Sequence, residues 1–414
     1  MPVFMDFITT PKPKPFIPIL IFLLINLIQC GHVQTYHAVG QLELDNRLIQ
    51  AAANGNLEEV QRALADGAQI NSKDIDTSAT ALWMASQNGY LDVVRLLLKK
   101  GAKVDIREED SAPLSIASGN GHFEVVKLLL EKGAKVNAKS KGERITALWI
   151  ASQNGHLKIV RLLIENGADI EATVTSKKKS LNGTTPLWIA SQNGQTEIVK
   201  LLLEKGAEVD AKRKSEDITA LWAASTNGHI AVVKLLLEHG AEVDAKDSDG
   251  ITPLWIASQN GHTEVVKLLL EHGADINVMR KSVGDPPLLI AAWYGRTEVV
   301  KLLIDHGADI EAKYSSDGTT ALWNASSKDH TAMLKLLLEL GADTEAKNNS
   351  NGITALWNAS RYGYAEVVKL LLNHGADVNV KVTVNNKAYT PLMVAEEFGK
   401  IKVAALLKKA GAKQ

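Results

Sequence analysis

The chain has 414 residues, 45% of them hydrophobic, with 46 basic residues against 47 acidic ones and a single cysteine. That length and apolar content suffice for a sizeable packed core. The near-zero net charge gives no global attraction to nucleic acid or to an anionic membrane, and one cysteine excludes a disulfide framework within the chain.

Residues 1–45 differ in kind from the rest. Lys12 and Lys14 precede an apolar run from Phe16 to Ile28, and no Asp, Glu, Lys or Arg falls between Lys14 and Glu43. A basic stretch followed by an apolar core of about 7–15 residues is the pattern of a secretory signal peptide. The run is short for a membrane span, which needs about 20 residues. Lysines before it and Glu43 and Asp45 after it favour an N-terminus that stays in the cytoplasm. Residues 1–45 therefore read as a hydrophobic targeting segment, cleaved or kept as an anchor. The remainder is then exported (secreted or periplasmic) or membrane-tethered through residues 16–28. Leu27-Ile28-Gln29-Cys30 also resembles a bacterial lipobox, which would make Cys30 a lipidation site, although Gln29 departs from its small residue.

One phrase recurs from residue 46 to the end. It reads TPLWIASQNGHTEVVKLLLEHGADIN from Thr252 and TPLWIASQNGQTEIVKLLLEKGAEVD from Thr185. Its leucine falls at Leu82, Leu114, Leu148, Leu187, Leu221, Leu254, Leu288, Leu322, Leu356 and Leu392. A further unit, Asn46 to Asp74, precedes these and brings the total to eleven. A fixed period of roughly 20–50 residues marks units that cannot bury their apolar faces alone but do so when stacked.

Each unit reads as helix, turn, helix, finger. Thr252 is suited to cap the first helix and Pro253 to follow it at the first helical position, where a missing N–H costs nothing. Leu254, Trp255 and Ala257 face neighbouring units, and Gly261 ends the helix. Val265, Val266, Leu268, Leu269 and Leu270 make the apolar stripe of the second helix. Gly273 stands where a C-cap needs positive φ.

The period and the T-P-L-W-x-A phrase resemble the ankyrin repeat, whose first helix carries T-P-L-H-x-A. The resemblance covers residues 46–414. It implies an all-α solenoid of about eleven helix-turn-helix units with projecting β-turn fingers, with cap-like repeats at 46–74 and 390–414. The family's histidine is replaced by Trp83, Trp149, Trp188, Trp222, Trp255, Trp323 and Trp357. These are read as structural residues that fill the gaps between repeats. Their indole N–H can donate but not accept.

No catalytic, cofactor-binding or metal-binding constellation emerges, and no P-loop, H-E-x-x-H or G-x-S-x-G is present. The histidines within the repeats occupy two fixed registers, opening or ending the second helix, so their place in the repeat explains them. The repeats leave too short a remainder for a catalytic domain. The reading is a non-enzymatic scaffold, monomeric, that binds a protein partner and no nucleic acid, and that meets a membrane only through its N-terminal segment. Two rivals are an effector secreted into a host cell and an enzyme built in the groove.

The resemblance places partner contacts on the groove face of the first helix and on the finger tips. Gln-Asn recurs before the helix-one glycine in several units. Trp293/Tyr294, Ser327/Lys328, Arg361/Tyr362 and Glu397/Phe398 replace it later, and Asn324 and Asn358 replace the usual Ile. Trp, Tyr and Arg are enriched at binding hot spots. The expected patch is therefore Trp293, Tyr294, Asn324, Lys328, Asn358, Arg361 and Tyr362. A second expected patch is a basic finger stripe containing Lys177, Lys178, Lys179 and Arg213.

Overall fold

The computed structural model describes residues 40–74, 78–106, 111–177, 181–214, 216–384 and 387–413. Within them the chain forms twenty-two helices in eleven antiparallel-type pairs and one small hairpin. Residues 1–39 of the expected targeting segment, with Cys30 and residues 16–28, lie outside the described residues, while residues 40–45 begin the first helix of the first repeat. No helix among the described residues is long and apolar enough to cross a membrane.

The first pair is α1 (40–53) and α2 (Leu57–Ala65). The pairs that follow are α3 (Ala81–Gln87) with α4 (Leu91–Lys99), α5 (Pro113–Gly119) with α6 (Phe123–Glu131), and α7 (Ala147–Asn154) with α8 (Leu157–Glu165). Next come α9 (Pro186–Gln192) with α10 (Thr196–Glu204), α11 (Ala220–Asn227) with α12 (Ile230–Glu238), and α13 (Pro253–Asn260) with α14 (Thr263–Glu271). The series ends with α15 (Pro287–Trp293) and α16 (Thr297–Asp305), α17 (Ala321–Ser327) and α18 (Thr331–Glu339), α19 (Ala355–Tyr362) and α20 (Ala365–Asn373), and α21 (Pro391–Glu397) and α22 (Ile401–Lys409).

The local chemistry sets these bounds. The threonine hydroxyls of Thr80, Thr146, Thr185, Thr219, Thr252, Thr320, Thr354 and Thr390 each accept the backbone N–H three residues on, as at Trp255 with 3.3 Å. That satisfies one orphan donor of each first turn. Gly261 ends α13 at φ 82°, a left-handed conformation that a side chain resists. The buried stripe of the second helices varies in width: α14 buries Val265, Val266 and Leu269 while Leu268 and Leu270 keep partial exposure, whereas α10 buries all five equivalent positions.

The contacts divide the chain into two compact units, one of residues up to 117 with 124–134, the other of 118–123 with 135–414. In the first unit, the outer helix α2 is polar where other repeats carry leucines: Arg62 is exposed and pairs with Glu58 and Glu59 at 3.5 Å each. Trp83 donates to the Ser111 hydroxyl at 3.3 Å.

In the second unit, successive first helices pack side by side, α7 on α9, α9 on α11, and so on to α19 on α21. Side chains stitch one repeat to the next. Asn154 and Asn260 donate back to the carbonyls of Gly119 and Thr226 in the preceding repeat, at 2.7 and 2.9 Å. His156, His229 and His262 contact such carbonyls through Nε2 at 2.9–3.0 Å. His239, His272, His306 and His374 instead lie against the carbonyl four residues back in their own helix. These seven histidines thus have partners set by their register, whereas the buried Nε2 of His330, in the first register, has none. Along the fingers, Asp210, Asp244, Glu311 and Glu345 accept the backbone N–H of Glu242, Asp275, Asp343 and Asp377 in the next finger at 2.8–3.1 Å. Burial raises the pKa of Asp210 and Asp244, against the pull of those same N–H groups.

One departure from an all-helical chain is β1 (Val382–Val384) paired antiparallel with β2 (Lys387–Tyr389) in the last finger. The β-branched Val382-Thr383-Val384 run accounts for it.

Candidate protein-interaction face

Seven of the eight tryptophans share one slot, and each first helix is finished by what packs over it. The residue 25 positions after that slot begins the finger and folds back onto it. Val174 joins Trp149, and Val382 joins Trp357, in apolar clusters. Arg213 lies over Trp188 with its guanidinium carbon 5.1 Å from the ring centroid, and Arg280 lies over Trp255 at 5.0 Å. Where Leu289 replaces Trp, the buried Tyr314 occupies the same place and donates its hydroxyl to the Leu289 carbonyl at 3.2 Å. Burial raises the Tyr314 pKa, with the Asp285 charge adding to it. The expected structural reading of the indoles agrees with this packing. Trp149, Trp188, Trp255 and Trp357 are buried, and Trp83, Trp222 and Trp323 are partly buried. Trp149 donates to the Thr184 hydroxyl at 3.1 Å and Trp255 to the Asp285 carbonyl at 3.0 Å. The indole N–H groups of Trp188, Trp222, Trp323 and Trp357 are buried without a protein acceptor.

This packing corrects part of the expected basic finger stripe. Arg213 is only 7% exposed and is ion-paired with Glu216. Side chains alternate along an extended finger, so Lys212 and Lys214 point out while Arg213 turns in onto Trp188. Lys177 is exposed. Lys178 and Lys179 lie outside the described residues.

The expected helix-one patch is partly corrected as well. Asn324 and Asn358 are buried rather than exposed for contact. They stand in the slot of Ile189, Ile256 and Ile290, which faces the packed floor of the repeat. Both amide atoms of Asn324 and the Asn358 Nδ2 lack a protein partner.

The other members lie together at the C-terminal ends of adjacent first helices. Trp293 closes α15 and Tyr294 caps it, Lys328 caps α17, and Arg361 and Tyr362 close α19. Because α15, α17 and α19 pack in sequence, these ends form one face. Lys328 lies over the Trp293 ring, its Nζ 3.9 Å from the centroid. Arg361 lies over Tyr362 at 5.9 Å and over Phe398 of the next repeat at 5.2 Å. Tyr362 stacks on Tyr364 at 5.8 Å. Trp293, Tyr294, Tyr362 and Phe398 remain 41–48% exposed, in slots that elsewhere hold a small or polar residue.

Two pockets open on this face. The first, of about 310 Å³, is walled by Trp293, Tyr294, Tyr314, Arg280 and Asp317. At its base the fully buried Asp285 pairs with Arg280 at 3.0 Å. Burial raises the Asp285 pKa and Arg280 acts against it. The second pocket, of about 280 Å³, is lined by Trp357, Arg361, Lys387, Tyr389, Glu397 and Phe398. Lys387 lies over Tyr389 at 4.8 Å. Sequence reading missed Lys387 and Tyr389, because it treated the last finger as a turn like the others. The alternation of Val382, Thr383 and Val384 was the available signal. No cluster of His, Cys, Asp and Glu among the described residues has the geometry of a metal site.

The family model described as ankyrin repeats (3 copies) matches residues 48–140, 136–213, 210–280, 279–348 and 344–414. The chain belongs to the ankyrin repeat family. Three Rickettsia felis proteins named as ankyrin repeat proteins are similar to it in part. One is 36% identical over 70 residues, 17% of this chain and 31% of that relative. The others are 39% identical over 56 residues and 40% identical over 52, spanning 87% and 77% of those shorter relatives but only 14% and 13% of this chain. This ankyrin repeat chain thus shares no more than a short stretch with each, and spans under a third of the first relative's length. Ankyrin repeats are generally protein–protein interaction modules, which agrees with an exposed aromatic face and with buried indoles that serve packing.

Proposed function

We propose that the protein is a non-enzymatic interaction scaffold that holds a partner protein against the helix-one face from Trp293 to Phe398, with the neighbouring finger tips. One observation carries the reading. Four large aromatics stay exposed at the same slots of three repeats, where several earlier repeats carry Gln-Asn pairs whose asparagines, at Asn154 and Asn260, bond the preceding repeat. Folding leaves such residues exposed at a cost unless binding covers them. Trp293→Ala combined with Tyr294→Ala is expected to abolish capture of the native partner from its own cell extract while the thermal midpoint holds. Full capture by that variant overturns the reading.

The N-terminal segment adds a proposed location. Its basic stretch and apolar run support export, or tethering through residues 16–28, so the partner is sought outside the cytoplasm. Intact mass and cell fraction of the native protein test this. A chain shortened by its first segment, or a full-length chain in the membrane fraction, agrees with export or tethering. A full-length soluble chain refutes both. The scaffold is expected to be monomeric by light scattering.

A further inference from the structure

Resting on the interaction reading above, the charges beside the exposed rings say what the face recognises. Three lysines on the second helices pair with a carboxylate of their own helix, Lys234 with Glu238, Lys335 with Glu339 and Lys369 with Glu366, at 3.7–3.9 Å, while Lys200, Lys267 and Lys301 have no ion pair among the described residues. Lys328, Arg361 and Lys387 are exposed, yet none is in an ion pair among the described residues. Each lies over an aromatic ring instead. A ring holds the alkyl stem and the face of the cation but leaves its outward N–H groups open to an acceptor. The acids nearby are already engaged or out of reach. Asp285 is paired with Arg280, and Asp317 accepts from the Thr319 N–H and hydroxyl. Glu396 pairs with Lys408 at 2.7 Å, and Glu397 lines the second pocket without ion-pair contact to Arg361 or Lys387.

We propose that this face takes an acidic, extended segment of a partner protein, its carboxylates meeting Lys328, Arg361 and Lys387 and its apolar side chains entering the two pockets. Charge-assisted bonds from preplaced cations give such a segment its orientation, and unpaired cations beside one another raise its association rate. The reach is consistent with a short segment. The first pocket opens at α15 and the second at α19 and α21, about two repeats further along. At roughly 8–10 Å per packed helix layer that is about 16–20 Å. An extended chain covers it in about 5–6 residues.

Immobilised full-length protein, challenged with a phage-displayed library of random short peptides, tests the inference. The wild type is expected to select sequences rich in Asp and Glu with interspersed apolar residues, and to release them as salt is raised. The variant Lys328→Glu, Arg361→Glu, Lys387→Glu is expected to retain those clones at least tenfold less and to select Lys- and Arg-rich sequences instead, with an unchanged thermal midpoint. A purely structural role of the three cations does not invert selection. Selection of basic or uncharged peptides by the wild type overturns the acidic assignment while leaving the interaction face standing. Tighter binding of a single-stranded oligonucleotide than of the selected peptides overturns it as well. Failure to retain any peptide, or retention that Trp293→Ala with Tyr362→Ala does not change, overturns the face itself.

Discussion

Replacing Trp188 by Ala tests how the repeats are held together, and Trp255 supplies a matched control. Both indoles are buried, and both lie under an arginine, at 5.1 and 5.0 Å. They differ at the ring nitrogen: Trp255 donates to the Asp285 carbonyl at 3.0 Å, and Trp188 has no acceptor. A buried indole removes about 150–250 Å² from water, worth about 4–6 kcal/mol at 25 cal/mol per Å². Partial collapse around Val174, Ile189 and Ile218, and relief of the unpaired N–H, reduce the cost. Trp188→Ala is therefore expected to destabilise the array by about 3–5 kcal/mol. Phenylalanine separates the terms. Trp188→Phe keeps most of the ring and removes an unsatisfied donor, whereas Trp255→Phe deprives a buried carbonyl of a donor and is expected to cost about 1 kcal/mol more. Urea unfolding followed by far-ultraviolet circular dichroism reads both, and unchanged slopes show that cooperativity has held. An unchanged midpoint for Trp188→Ala, or a larger loss for Trp188→Phe than for Trp255→Phe, refutes the reasoning.

Further substitutions probe other joints. Leu289→Trp alone overpacks against Tyr314 and is expected to cost about 1–3 kcal/mol, with much of the loss recovered when Tyr314→Val is added. Additive losses in that double-mutant cycle would contradict the shared slot. Asn324→Ile removes a buried amide without partners and restores the residue type of neighbouring repeats, so a gain of about 1–3 kcal/mol in chemical denaturation is expected; a loss would mean that the amide has a partner in the folded protein. For Asp285 the pKa is raised in the folded state, so the folded protein binds its proton more readily than the unfolded chain does. Its contribution therefore improves as pH falls from neutrality through the folded pKa, and worsens as pH rises again. The stability of wild type relative to Asp285→Asn is expected to increase on acidification from neutral pH. A difference that is flat or shrinks would show that the Arg280 pair outweighs burial.

Much of the fold was legible because its causes are local and repeated. A threonine five residues before the first-helix alanine-serine pair, a glycine after each helix and a leucine stripe recur in most units, so capping, turns and burial could be read from one copy. The unit at 279–309 was harder. Pro286 replaces the threonine cap and carries no side-chain bond, and Leu289 replaces the tryptophan. The compensation by Tyr314 comes from a different segment. Arg213 shows the same limit. A triplet of basic residues reads as a charged loop, but alternation along the finger sends its middle member inward onto a ring. Asn324 and Asn358 looked like contact residues because they are polar where isoleucine is usual, yet burial at that slot is dictated by the helix packing. The aromatic ends at Trp293, Tyr294, Arg361 and Tyr362 were legible because they break an otherwise uniform Gln-Asn phrase. The stacking of Lys328 on Trp293 and of Arg361 on Phe398, and the pocket that Arg361 shares with Lys387, needed three dimensions.

Site-specific photo-crosslinking in the native cell tests the central claim most directly. A photoreactive amino acid at Tyr362, on the proposed face, is compared with one at Ile230, exposed at the start of α12. The account predicts a discrete protein adduct from position 362, absent from position 230 and lost when Arg361→Glu and Lys328→Glu are added. Adducts of equal yield from both positions, or from Ile230 alone, would contradict it.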